Sequence, residues 1–235
     1  VRANKAVRCE GLSKSRAIED CGTLSGSDAG LGLAAETTGT ATVTGAGSSW
    51  TVGYWLFVGY YGEGVFANAD GGLVTVGTAG EGLFVVGYLA GSTETLKICA
   101  AEGDTAMSAG HLSAVGLLFE IAQALVFNHT DAAYKFGTPI YGAGAVDVLA
   151  GVSTLSATNY YIGDTMATGG SLLLSGSLRG DSYVSGSGIL GGTGVARNIY
   201  VESADIGTLS AEGVVDLETG YSFEVEINDA GNSDM

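Results

Sequence analysis

Proline is almost absent from this sequence: Pro139 is the single copy in 235 residues, against 40 glycines. That combination excludes a collagen triple helix, which needs glycine at every third position and abundant proline. Disorder is excluded on the opposite ground. A disordered chain is poor in apolar residues, whereas 46% of this one is hydrophobic and its mean hydropathy is +0.31. The fold that accommodates so much glycine in an apolar chain is a β structure dense in tight turns, because glycine takes positive φ at little cost.

Charge is scarce and of one sign. Only 14% of residues are charged and the net charge is −16. Arg2, Lys5, Arg8, Lys14 and Arg16 are followed by no other cation until Lys97. Such a surface repels phosphate, so nucleic acid is not an expected partner, and docking on anionic lipid is disfavoured. The acidity reads as a solubility device for an apolar, edge-rich β protein. Cysteine is limited to Cys9, Cys21 and Cys99 and histidine to His111 and His129, with no C-x-x-C pair. Neither a disulfide framework nor a zinc site is expected; Cys9 and Cys21 are free to bridge and leave Cys99 unpaired. No metal or cofactor is expected. There is no run of about 18 apolar residues, which argues against a transmembrane helix. No apolar segment of the signal-peptide kind follows the basic start, and Val1 in place of Met suggests an interior piece of a longer protein.

Residues 1–38 have poor periodicity and are expected to form an irregular N-terminal segment or cap, with a short helix over 13–20 begun by Ser13. From there to residue 235 the texture is β. Short apolar runs at 41–44, 55–59, 64–67, 73–76, 83–87 and 95–98 are separated by turn residues such as Asp70-Gly71-Gly72. An internal repeat narrows the architecture. Val58-Gly59-Tyr60 is followed shortly by a glycine, and so is Val86-Gly87-Tyr88. Self-similarity of this sort marks stacked coils that bury an apolar face only against their neighbours. The apolar stretch 111–127 fits either a buried pair of strands or a short helix. Near the end, Tyr221, Phe223, Val225 and Ile227 alternate with Ser222, Glu224 and Glu226, as in a strand with one buried face.

The segment around Leu155, Thr158-Asn159, Tyr161, Gly163, Thr165, Gly169-Gly170, Leu172 and Gly176 resembles the autotransporter-associated β-strand repeat. Upstream, residues 125–151 are similar to the coils that precede that repeat. Downstream, Leu190-Gly191-Gly192-Thr193-Gly194 and Ile206-Gly207-Thr208-Leu209 look like the last coils before an outer-membrane barrel. In order along the chain these motifs cover roughly residues 39–235. The resemblance implies an all-β, right-handed parallel β-helix over 39–235, the passenger of a bacterial autotransporter at the cell surface, outer membrane or in secreted form. It also implies a partner in the C-terminal outer-membrane barrel of the same polypeptide, which this chain does not contain, and an adhesive role toward a host surface receptor or glycan.

Candidate sites are few. Arg179-Gly180-Asp181 is an integrin-recognition tripeptide and the one possible receptor site the sequence offers, although in a glycine-rich chain chance occurrence is the reading preferred. Asn128-His129-Thr130 has the form of a glycosylation sequon and is read as incidental. Asp70-Gly71-Gly72 lacks the tandem Gly-Gly-x-Gly-x-Asp that calcium repeats need, since Ala196 stands where an aspartate belongs in Gly191-Gly192-Thr193-Gly194-Val195-Ala196. Trp50, Tyr54, Trp55, Phe57, Tyr60, Tyr61, Tyr88, Tyr160 and Tyr161 suit either a carbohydrate-stacking platform or ladders in and along the coils, and the ladder is the reading preferred. No set of convergent carboxylates recurs, so an enzyme is not expected; the alternatives to a structural, adhesive stalk are a β-helical polysaccharide-acting enzyme and a module using Arg179-Gly180-Asp181. Alternation is best over 155–235, which makes those coils the expected stability centre, with Phe223→Ala costing more than Phe66→Ala.

Overall fold

The computed structural model describes residues 7–8, 13–18, 21–78, 80–89, 94–99, 105–121, 123–201 and 208–211. Among the described residues every regular element is a strand. The chain begins with β1 (Val7–Arg8) and β2 (Ser13–Ile18), then β3 (Thr23–Gly26), β4 (Ala29–Leu31) and β5 (Thr38–Thr44). The next circuits are β6 (Ser49–Val52), β7 (Leu56–Val58) and β8 (Glu63–Ala69), then β9 (Leu73–Val76), β10 (Phe84–Val86) and β11 (Glu94–Cys99). These are followed by β12 (His111–Ala114), β13 (Leu117–Phe119) and β14 (Ala124–Asn128), then β15 (Tyr134–Phe136), β16 (Ile140–Gly142) and β17 (Ala145–Ala150). Shorter circuits complete the described chain: β18 (Val152–Leu155), β19 (Thr165–Ala167), β20 (Ser171–Leu174), β21 (Asp181–Val184), β22 (Ile189–Gly192), β23 (Asn198–Val201) and β24 (Thr208–Ala211).

Sequential strands do not pair with each other. Sheet neighbours are β1-β4-β7-β10-β13-β16 in one sheet and β2-β5-β8-β11-β14-β17-β19-β21-β23 in a second. A third sheet runs β3-β6-β9-β12 and a fourth β15-β18-β20-β22-β24. Every pairing between named strands is parallel. From β3 to β14 the chain visits three sheets in turn and returns to each with its fourth strand, so each circuit lies on the one before as a rung. Rungs are shortest toward the end of the described chain: Leu24 pairs with Trp50, 26 positions on, and Val74 with Leu112, 38 on, whereas Ser182 pairs with Ile199, 17 on.

The rungs shorten because one sheet runs out. After β16 its place is taken by single bridges, Thr158 to Ser177 and Ser177 to Val195, and by amide bonds from Tyr160 to Ile140 O (2.7 Å) and Ile162 to Gly142 O (2.9 Å). Asn159, 2% exposed, substitutes for missing ladder bonds. Its Oδ1 accepts from the Ile140 amide at 3.1 Å, and its Nδ2 donates to Ala157 O at 2.9 Å and Ser177 O at 3.1 Å. Tyr161 is fully buried beside it, with its hydroxyl bonded to Thr165. The Thr-Asn-x-Tyr stretch singled out in the sequence is thus the hardware of a tight corner.

The core is a set of columns running through the rungs. In the second sheet Ala41, Phe66, Leu96, Leu125 and Val146 stack residue upon residue, all of them buried. In the first sheet Leu31, Val58, Val86 and Phe119 do the same. The expected short helix over 13–20 is overturned: Ser13–Ile18 pairs with β5 from Ser13–Thr38 to Ile18–Val43. A neighbouring rung takes the backbone bonds that a Ser-capped turn would have made locally. Strands β2 to β4 fall within the segment 1–38 that the sequence sets apart, and they belong to the same ladders. The stretch 111–127 forms three strands, β12 to β14, one on each side of a rung. The strand read over 221–227, Phe223 included, lies outside the described residues.

Side-chain volume, which alternation does not report, gives the earlier rungs a substantial aromatic core of their own. Among the described residues the largest fully buried side chains are Trp50, Tyr161, Phe66, Phe84, Phe119, Phe127 and Phe136. Phe66, expected to cost less on truncation than Phe223, is wholly buried, with its ring centroid 6.0 Å from Trp50 and 5.3 Å from Phe84. Phe66→Ala is therefore expected to cost about 3–5 kcal/mol. A urea-unfolding difference below about 1 kcal/mol would show that the aromatic column does not carry the rung.

Candidate functional site

The Val-Gly-Tyr repeat makes a corner. Gly59 (φ 74°) and Gly87 (φ 69°) end β7 and β10 in the left-handed region, as Gly32 (φ 61°) ends β4. Their amides continue the ladder, Gly59 to Leu31 O at 2.9 Å and Gly87 to Val58 O at 3.0 Å. The tyrosine after each glycine is thereby thrown outward in register. Tyr60 and Tyr88 stack with ring centroids 4.6 Å apart and planes 16° from parallel. Phe57, facing out from β7, meets both edge-on at 5.2 and 5.7 Å, and lies 5.9 Å from the near-parallel ring of Trp55. Tyr61 joins at 4.9 Å from Tyr60.

The result is an aromatic surface on the outer face of one sheet. Trp55 is 39% exposed, Tyr88 40% and Tyr61 53%. The outward column Phe57, Val85, Leu118 and Tyr141 prolongs it, and Tyr141 stacks with the exposed Tyr160 at 5.4 Å. The rim carries acid. Asp28 accepts the Trp55 amide at 3.3 Å, and Glu63 accepts the Thr38 hydroxyl at 2.9 Å. Glu81 is exposed next to Gly82, where a Cβ would lie 2.2 Å from Tyr54 O. Partial burial, together with the neighbouring phenols of Tyr88 and Tyr61, raises the Tyr60 hydroxyl above its ordinary range. The aromatics picked out in the sequence therefore divide. Trp50 and Tyr161 are core, whereas Trp55, Phe57, Tyr60, Tyr61 and Tyr88 gather outside. Composition carried no signal for that division; the register of the Val-Gly-Tyr repeat did.

Arg179-Gly180-Asp181 lies on the corner leading into β21. Arg179 is exposed and Gly180 is buried, where an added Cβ would sit 2.1 Å from Gly163 O. Asp181 is half-buried and its Oδ1 accepts from Asn198 Nδ2 at 2.7 Å. Arg179 lines a shallow groove of about 370 Å³ with Tyr160, Leu178, Val195 and Arg197. Other residues raised by the sequence have structural positions. The Asp70 carboxylate accepts from Ser108 (2.8 Å) and Thr44 (3.4 Å). Asn128 is 5% exposed within β14, out of reach of a glycan-attaching enzyme. Cys21 is exposed and its thiol faces Ala46 O at 3.4 Å, Cys99 is buried against Ser108 O at 3.1 Å, and Cys9 lies outside the described residues. His111 lines a second shallow groove with Ser113, Lys135 and Thr138.

One arrangement escaped the sequence reading. His129 Nε2 lies 2.8 Å from Ser153 Oγ, which invites comparison with a nucleophile and its base. The bonding argues otherwise. Backbone N–H groups only donate, so the 3.2 Å contact from the Asp131 amide makes Nδ1 the acceptor. The neutral ring then carries its proton on Nε2 and donates to Ser153, the wrong direction for activating a hydroxyl. Both residues are also fully buried. The imidazole is packed by Phe127, Tyr134 and Gly151, at which a Cβ would meet Nδ1 at 2.3 Å.

No protein-family model matches the chain, and no solved structure matches it. Among characterised proteins it is similar to the adhesin BmaC autotransporter of Brucella suis biovar 1 (strain 1330), at 30% identity over 243 aligned positions. The match takes in 75% of this chain but 7% of that adhesin, so the chain spans a small part of its relative's length.

Burial holds the His129 imidazole below its ordinary value of 6.5, against a weaker upward pull from Asp131. An unfolded chain takes up a proton near 6.5 that the folded chain refuses, so this part of the stability is intact above that pH and declines as the pH falls below it. The urea midpoint should thus drop between pH 7.5 and 5.5, and the drop should shrink in His129→Gln. A His129 imidazole titrating by NMR at or above the ordinary value would contradict this account.

Proposed function

We propose that the chain is a surface-exposed passenger or stalk segment of an autotransporter. In this reading its rungs wind as a right-handed parallel β-helix that presents an adhesive outer face. The observation that carries it is the cyclic succession of parallel ladders, in which each circuit is bonded to the next and the outer residues are free of the core. The likeness to an autotransporter adhesin supplies the context. A rod of this kind is held at the cell surface by the outer-membrane barrel of its own polypeptide, and contacts host receptors or glycans along its sides. Catalysis has no part in this reading. In Arg179-Gly180-Asp181 the Asn198 amide already occupies Oδ1 of Asp181, which leaves its other carboxylate oxygen for a receptor.

The test is to fuse the chain between a secretion signal and an autotransporter barrel in a non-adherent bacterium. Antibody should reach it on intact cells, and adhesion to epithelial monolayers should rise by several-fold. Retention in the periplasm while the barrel inserts normally would refute the passenger reading. Release of reducing ends from host or bacterial polysaccharide by the purified chain would favour the enzyme instead.

A further inference from the structure

The aromatic corner built by Trp55, Phe57, Tyr60, Tyr61 and Tyr88 is not required by the fold. The inward residues of the same strands, Leu56, Val58, Phe84 and Val86, are fully buried and supply the core. The aromatics are an outer layer added to a finished wall, and they expose ring surface that costs solubility. Their geometry limits the ligand. Trp55 lies nearly parallel to Phe57, at 11°, and Tyr60 to Tyr88, at 16°. Rings stacked on one another make an open, ribbed surface and not a box closing on a point, so the arrangement suits a flat ligand with an apolar face better than a quaternary ammonium ion. Charge limits it further. From residue 17 to residue 96 the sequence contains no lysine or arginine, and the carboxylates at the rim are Asp28, Glu63 and Glu81. A sulfated, sialylated or uronic acid chain would meet those carboxylates first, since the cation nearest in register, Arg8, lies two strands from Phe57 across Gly30. A neutral sugar offers what the surface lacks: C–H faces for the rings, and hydroxyls to donate to the carboxylates and to pair with the phenols.

We infer that this corner is a binding site for an uncharged glycan, its pyranose rings lying on Trp55 and on the Tyr60–Tyr88 stack and its hydroxyls reaching the acidic rim. The inference takes the adhesive reading as its premise and names the contact that adhesion would use. Two consecutive rungs each contribute one tyrosine of the stack, so the site spans neighbouring rungs. A chain of sugars has the reach to cover them, where a monosaccharide covers one.

The purified chain contains two tryptophans, the core Trp50, 2% exposed, and Trp55, 39% exposed. Acrylamide quenching therefore reports on Trp55, with Trp50 as a buried internal reference. Titration with cellohexaose and maltohexaose should protect Trp55 with a Kd of about 1 mM or tighter for at least one of them. Trp55→Ala and Tyr88→Ala should each weaken that binding about tenfold or more, while Tyr88→Phe stays within about threefold. These are exposed positions, and circular dichroism verifies that each variant is folded. The inference is overturned if neither oligosaccharide protects Trp55 at about 10 mM. Tighter protection by choline chloride or by a hyaluronate hexasaccharide also overturns it, and so does concentration-dependent protection without sugar in step with dimer formation by sedimentation. Sugar binding by the purified chain without adhesion by the displayed chain would leave the site standing and remove the adhesive role.

Discussion

In a parallel ladder between rungs, each strand's amides and carbonyls are satisfied by the circuits above and below it. A strand has no partner within its own rung, so no rung closes its own hydrogen bonds or buries its own apolar face. This constraint sets like residues over like. Val43, Asn68, Ile98, Phe127, Val148, Ala167, Val184 and Val201 form one column because they occupy corresponding positions in successive circuits of the second sheet. Stability then accumulates rung by rung and interface by interface. The wide inner section between Trp50 and Phe136 is rich in aromatic rings, and the narrower section after Leu155 is filled mainly by leucine, valine and alanine around the single buried ring of Tyr161.

The same column shows where the repetition is disturbed. Asn68 is completely buried and neither polar atom of its amide finds a partner among the described residues, a cost of about 1–3 kcal/mol. It sits where the longest excursion of the chain returns. Val74 pairs with Leu112, 38 positions on, and the returning segment docks with the Gly110 amide on Asn68 O at 3.2 Å and an antiparallel bridge from Ala109 to Ala69. Gly110 is glycine because a Cβ there would lie 2.2 Å from Asn68 Oδ1. The insertion is anchored to the rung through backbone, and the Asn68 side chain is closed over in the process.

Much of the wall was legible in the sequence, because the runs at 41–44, 64–67, 73–76 and 95–98 carry the alternation that one buried face imposes. The repeat of Val-Gly-Tyr was legible for a related reason: a strand that stops at the same corner in successive rungs needs the same left-handed residue there. Less was legible where the partner lies far away. Ser13–Ile18 has the local signals of a capped helix, and only the backbone of β5 makes it a strand. The buried state of Gly180 follows from Gly163 on the previous rung, a proximity that no local pattern announces. The sorting of the aromatics was hidden for the same reason. Trp50 and Trp55 are five residues apart, yet Trp50 points inward from β6 while Trp55, in the corner before β7, stays on the surface.

Parity also explains how such a wall gains a function without losing its fold. The inward position of a strand must match the columns above and below it, so it accepts little besides an apolar side chain of the right volume. The outward position has no such obligation. On the third sheet the outward column Ser25, Thr51, Thr75 and Ser113 is uniformly hydroxylic, the ordinary solution for a solvated β face. On the first sheet the outward column runs Gly30, Phe57, Val85, Leu118 and Tyr141, and Val85 is 2% exposed although it points away from the core. Both faces meet the same backbone requirements and both stand over an apolar interior; they differ in that the first is partly closed over by its own side chains, as the burial of Val85 shows. On that face the rings pack on one another, Phe57 against Trp55, Tyr60 and Tyr88, and what they leave exposed is the surface on which the glycan inference rests.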